Sequence, residues 1–155
     1  MIDIVRGGFA GRLSGLSEVV QASALKNFRQ AADAASAKSA ARGKDVLLYS
    51  PGYEFDDGVF SDLAKSGGAV VFSFSDLLAE KGFRRAITLS KMRLAFSSCR
   101  KKGCGFVVCT LADDEGLLRN RRELVSLMSV LGMNEREKKF CESAIDRLAG
   151  RKGKG

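Results

Sequence analysis

A chain of 155 residues has room for one domain with a small core, and a balance of 45% hydrophobic to 28% charged residues excludes a disordered polymer. Lys and Arg number 26 against 18 Asp and Glu, and the net charge of +8 favours polyanions, nucleic acid before an anionic membrane surface. Histidine is absent, which excludes the common Ser–His–Asp triads and most zinc hydrolase sites.

Taken in chain order, Ile2-Asp3-Ile4-Val5 reads as a short strand closed by Gly7-Gly8. Residues from about Leu16 to Ala41 are Ala-rich and predict helix, with a break near Ser23 to Asn27. Asp45 to Tyr49 is a second strand, stopped by Ser50-Pro51-Gly52. Asp57 opens a helix carrying Phe60, Leu63 and Ala64, and Gly67-Gly68 ends it. Ala69 to Phe74 is a third strand, and Ser75 is placed to cap a short helix over 76–81.

Phe83 to Lys101 is the longest helical stretch. Its Leu89, Met92, Phe96 and Cys99 recur at helical spacing and predict one buried stripe. Gly105 to Thr110 is the fourth strand. Asn120 with Glu123, and Asn134 with Glu137, are two capping-box starts. The first leads into Leu124, Leu127, Met128 and Leu131 before Gly132, the second into Phe140, Ala144, Ile145 and Leu148. The tail from Arg151 to Gly155 reads as basic and disordered, leaving 1–150 as one domain.

Apolar strands alternating with helices imply a parallel sheet with helices outside it, either an open doubly wound sheet or a βα barrel. Nothing in the N-terminus has the charged-then-apolar order of a signal peptide, and no apolar run has the length of a membrane span, so the expected compartment is the cytoplasm.

The chemical candidates narrow quickly. Cys99, Cys104, Cys109 and Cys141 are too widely spaced for a structural zinc site and read as small core residues. Gly7-Gly8 with Gly11 matches neither dinucleotide nor P-loop fingerprint and reads as a turn. Asp113-Asp114-Glu115 follows a strand, where a βα fold carries its chemistry, and is the one acidic run placed to hold Mg2+. The strongest signal is the segment from Lys81 to Lys102. It carries Arg84, Arg85, Lys91, Arg93, Arg100, Lys101 and Lys102 and no acidic residue. A solvated helix usually mixes both signs, so this one points to anion contact. On the same helix Ile87 and Leu94 lie roughly opposite the buried stripe and point to a partner surface.

These residues resemble a known family. "FSFSDLLAEKGFRR", a basic helix ending "RKKG", and "FVVCTLADDEGLLRNRRELVSLMSVLGM" are similar, in order, to the TIM-barrel-like protein subunit of archaeal and eukaryotic ribonuclease P, called protein component 3 in archaea. "IDIVRGG" and "KDVLLYSPG" resemble the family's Val-Arg-Gly-Gly and Asp-Val-Leu-Ser-His-Pro strand ends. Where the family has Ser-Ser-Gly-Ala the chain has Cys109-Thr110-Leu111-Ala112, and the proline of Leu-Arg-x-Pro is Arg121.

The resemblance implies an incomplete or open parallel βα barrel, shortened at its N-terminus. It further implies a protein subunit that binds the catalytic RNA and supports removal of the 5′ leader from precursor tRNA, with Mg2+ held by the RNA and no cofactor on the protein. The implied partner is the small ferredoxin-like subunit, protein component 2. Arg6, Arg84, Arg85, Arg93 and Arg119 fall on or near the family's basic positions. The rival expectation is a Mg-dependent phosphoesterase of βα-barrel fold using Asp113, Asp114 and Glu115.

Overall fold

The structure, a computed structural model, describes residues 2–8 and 18–148. The expectations at Gly11, at Leu16 and in the tail 151–155 lie outside the described residues, as do the side chains of Ile145 and Leu148. The described chain is α/β, with six parallel strands in two sheets and six α-helices.

Strand β1 (Ile2–Val5) pairs in parallel with β2 (Glu18–Gln21). After a 3-10 turn (Ala22–Ala24) come β3 (Phe28–Gln30) and helix α1 (Ala34–Ala40). Then follow β4 (Leu47–Tyr49), α2 (Asp57–Ser66), β5 (Ala69–Ser73), α3 (Phe74–Ala79), α4 (Gly82–Lys102) and β6 (Gly105–Cys109). A second 3-10 turn (Glu115–Leu117) leads to α5 (Arg121–Val130) and α6 (Glu135–Leu148). Strands β3 to β6 form one sheet in sequence order.

The two sheets meet where the chain leaves β6. The Leu111 amide donates to the Ile4 carbonyl and the Arg6 amide to the Ala112 carbonyl, both at 2.9 Å, so the two segments advance together. The neighbour order is therefore β3-β4-β5-β6-β1-β2. The outer edges of β2 and β3 have no strand neighbour among the described residues.

The helix expected across 16–41 is replaced by β2, the 3-10 turn, β3 and a short α1, which raises the strand count from four to six. Three or four residues in isolation do not commit to a strand. Pairing with β1 and β4 overrides the alanine content here. Part of that alanine serves close packing, since Ala31, Ala37 and Ala41 are buried. Helix α1 starts at a capping box in which Asp33 accepts from the Ser36 amide at 2.7 Å.

Elsewhere the expected elements hold. Gly67 and Gly103 take left-handed φ of 76° and 73° at the ends of α2 and α4. Both capping boxes form, Asn120 with Glu123 and Asn134 with Glu137. Ser75 is not the expected cap. The chain turns from β5 straight into α3, Ser73 is the N-cap, and the Ser75 hydroxyl is buried without a hydrogen-bond partner among the described residues.

The core is centred on β4, β5 and β6 and extends through a chain of ring contacts. Tyr53 packs on Phe72 at 5.7 Å between centroids and Phe72 on Phe96 at 6.5 Å, while Phe96 meets Phe106 edge-on at 5.0 Å. Met92, Phe96 and Cys99 of α4 are buried on this sheet and Leu89 is partly buried, as the stripe predicts. All four cysteines are free and buried. No helix among the described residues is long and apolar enough to cross a membrane.

Candidate functional site

Parallel topology fixes which end of α4 faces which way. The chain rises along β5, crosses through α3 and must descend along α4 to begin β6. Arg84 and Arg85 therefore sit at the carboxyl end of the sheet, and Lys102 at the other end, about 27 Å away at 1.5 Å per residue. The seven cations of α4 span the helix and do not form a single patch.

Their partners narrow the set further. Lys91 pairs with Glu54, Arg100 with Glu137, and Lys102 with Asp57 at 3.4 Å. The Arg100 pair is bidentate, with both nitrogen–oxygen distances at 2.8 Å. Its guanidinium holds the Glu137 carboxyl below the usual carboxylate range, and Lys91 does the same for Glu54. Arg93 donates to the Val130 carbonyl and Arg100 to the Gly132 carbonyl, each at 2.8 Å. These contacts tie α4 to the carbonyl-rich end of α5 and satisfy its last turn. Arg85 donates Nε to the Glu80 carbonyl at 2.8 Å. Among the described residues Arg84, Arg85, Arg93 and Lys101 face no carboxylate within ion-pair distance, so four of the seven cations of α4 are left for anion contact.

The outward side of α4 is apolar as well as cationic. Ile87 and Leu94, expected to face a partner, are 40% and 68% exposed. Phe83, not singled out from the sequence, is 81% exposed and belongs to the same ridge. Successive steps of four and seven residues keep Phe83, Ile87 and Leu94 within about 40° on the helix wheel. The signal was in the sequence, because Phe83 precedes Ile87 by one turn.

At the carboxyl ends of the strands lies a polar cluster that motif reading missed. Asp76, in the first turn of α3, accepts hydrogen bonds from the Tyr49 hydroxyl at 2.8 Å and the Tyr53 hydroxyl at 2.5 Å. The Tyr53 oxygen also accepts from the Ser73 amide at 2.9 Å. Burial raises the Asp76 carboxyl above its ordinary range, against the opposing pull of the two phenols and Arg6. Burial and the same carboxylate raise both tyrosines. Asp76 stands in the Ser-x-x-Asp run after a strand, which was the available signal.

Arg6 follows β1 and reaches across this end. Its guanidinium carbon lies 5.7 Å from the Tyr49 ring centroid, and Nη2 pairs with Asp113 at 2.9 Å. Arg119 also comes from the strand-end side, just before α5. It braces its own turn, with Nη1 donating to the Gly116 and Leu118 carbonyls at 2.9 and 2.6 Å.

The acidic run is distributed among separate tasks. Asp113 pairs with Arg6, and Asp114 accepts from the Gly116 amide at 2.8 Å to start the 3-10 turn containing Glu115. No group of three His, Cys, Asp or Glu able to hold a metal ion is found among the described residues.

A further carboxyl is buried in the strand layer. Asp3 of β1 accepts from the Thr110 amide at 2.7 Å and the Thr110 hydroxyl at 2.5 Å, across the junction of β1 and β6. Burial raises it to about 6 from 3.8. No protein-family model matches the chain, and a search of curated proteins finds no match.

Proposed function

We propose that this chain is a non-catalytic RNA-binding subunit of ribonuclease P, supporting removal of the 5′ leader from precursor tRNA. In this reading the six strands are an abbreviated TIM-barrel-like sheet, open between β2 and β3. The observation that carries it is α4, which has no acidic residue and four cations, Arg84, Arg85, Arg93 and Lys101, that no carboxylate of the described chain neutralises. Such cations give affinity for a phosphate backbone without choosing a sequence.

Arg6 and Arg119 add positive charge at the strand ends, although both are also used internally. Lys91, Arg100 and Lys102 contribute to the long-range field more than to direct contact, since each already has a carboxylate partner. The RNA supplies the chemistry with its own Mg2+. Protein component 2, the small ferredoxin-like subunit, covers the ridge of Phe83, Ile87 and Leu94.

The rival reading, a Mg-dependent phosphoesterase built on Asp113, Asp114 and Glu115, is the weaker of the two. Its first two carboxylates are already engaged, Asp113 by Arg6 and Asp114 by the Gly116 amide. Affinity capture of the tagged full chain from its native source, with sequencing of retained RNA, tests the proposal. One structured RNA recovered with precursor tRNA and a small α/β protein is the expected result. Recovery of no RNA above a mock capture defeats it, and phosphoesterase activity of the purified chain that Asp113→Asn abolishes would establish the rival.

A further inference from the structure

The unpaired edge of β3 borders a cleft of about 540 Å3, lined by Arg6, Lys26, Phe28, Arg29 and Gln30 together with the turn after β2. Three of the lining residues are cationic and none is acidic. Lys26, Arg29 and Gln30 are exposed.

The donors are already arranged. The Arg29 guanidinium is pinned by Nη1, which donates to the Lys26 carbonyl at 2.6 Å and the Phe28 carbonyl at 3.1 Å. Its other two nitrogens remain for a ligand. Backbone alternation supplies a further donor. Asn27 accepts from Leu47 and Ala31 donates to Tyr49, so the odd-numbered residues of this segment face β4. The amides of Phe28 and Gln30 then point to the open edge. Phe28 is satisfied by the Leu25 carbonyl at 3.1 Å, which leaves the Gln30 N–H as the donor of the open edge beside the cleft.

We propose that this cleft is an anion site for a phosphate ester, held by Lys26, Arg29 and the Gln30 amide. A pinned guanidinium, an ammonium and a backbone N–H at one cleft, with no carboxylate among the lining residues, is a donor set that phosphate oxygens fit. The site is independent of α4 and goes beyond the RNA contact argued above. A free phosphate compound and a polynucleotide backbone present the same chemistry, and the probes separate them.

The test uses the full chain labelled with 15N, titrated with sodium pyrophosphate and separately with a short oligouridylate, following the Gln30 amide by NMR and affinity by calorimetry. Pyrophosphate is expected to shift the Gln30 amide, and Lys26→Ala with Arg29→Ala to weaken its binding roughly tenfold or more. Both side chains are exposed, and an unchanged thermal midpoint verifies that the variant folds. Arg136→Ala with Lys139→Ala, two exposed cations away from the cleft, should leave pyrophosphate affinity unchanged.

If oligouridylate shifts the same amide and is weakened by the same cleft substitutions, the site takes a polynucleotide. If only pyrophosphate does so, it takes a small phosphate compound. The proposal is overturned if neither probe moves the Gln30 amide, or if the cleft variant binds as tightly as the wild type. In that event, loss of oligouridylate binding on Arg84→Ala with Arg85→Ala leaves the RNA-binding reading standing.

Discussion

Replacing Asp3 by Asn tests the junction of β1 and β6 with a defined sign and size. The folded protein holds this carboxyl at about 6 against 3.8 in the unfolded chain, because burial disfavours the charge more than the Thr110 bonds favour it. Between those values the folded state keeps a proton that the unfolded state has released. Stability therefore falls as pH rises through the window and levels off above about 6. Holding the carboxyl at about 6 instead of 3.8 corresponds to about 3 kcal/mol at neutral pH. Asn keeps the acceptor for the Thr110 amide, turns its N–H toward the hydroxyl oxygen, and does not ionise. Urea denaturation of both proteins from pH 4 to 7.5 reads the difference, and taking the difference cancels the titration of all other groups. Asp3→Asn should match the wild type near pH 4 and exceed it by up to about 3 kcal/mol above pH 6. A constant offset across the range would show that the buried carboxyl ionises without penalty, contrary to this expectation.

Three further outcomes follow from the geometry. Tyr53→Phe should cost more stability than Tyr49→Phe, about 2 to 3 against about 1 kcal/mol by urea denaturation, because only Tyr53 also satisfies the buried Ser73 amide. Gly105→Ala should destabilise by more than about 1 kcal/mol in the same assay. A Cβ there meets the Gly68 carbonyl oxygen at 2.7 Å and Ala69 Cβ at 3.1 Å, where neighbouring strands approach. The triple change Glu54→Gln, Asp57→Asn and Glu137→Gln frees Lys91, Lys102 and Arg100. Filter binding should then show tighter RNA association at low salt and a steeper salt dependence.

The sequence carried some parts of this molecule and not others for identifiable reasons. Strands buried on both faces, such as Ala69–Ser73 and Gly105–Cys109, announce themselves as apolar runs between helices. The capping boxes at Asn120 and Asn134 are local chemistry and were legible as such. Strands β2 and β3 were not, because their three or four residues become extended only through partners distant in sequence. The cationic content of α4 was plain. Its neutralisation was not, since Glu54, Asp57 and Glu137 lie 35 residues or more from their partners along the chain. Asp76 and its two tyrosines come from two segments more than 20 residues apart, so the strand-end cluster belongs to the fold and not to a linear motif.

Whether α4 grips a phosphate backbone is read from the dependence of RNA affinity on salt, for the wild type and for the variant Arg84→Gln, Arg85→Gln, Arg93→Gln, Lys101→Gln. If the four unneutralised cations of α4 each meet a phosphate, their removal lowers the slope of log K against log salt by about 3, at about 0.7 to 0.9 per contact. An identical slope in a folded variant would contradict the account, because the RNA would then be held elsewhere or not by charge.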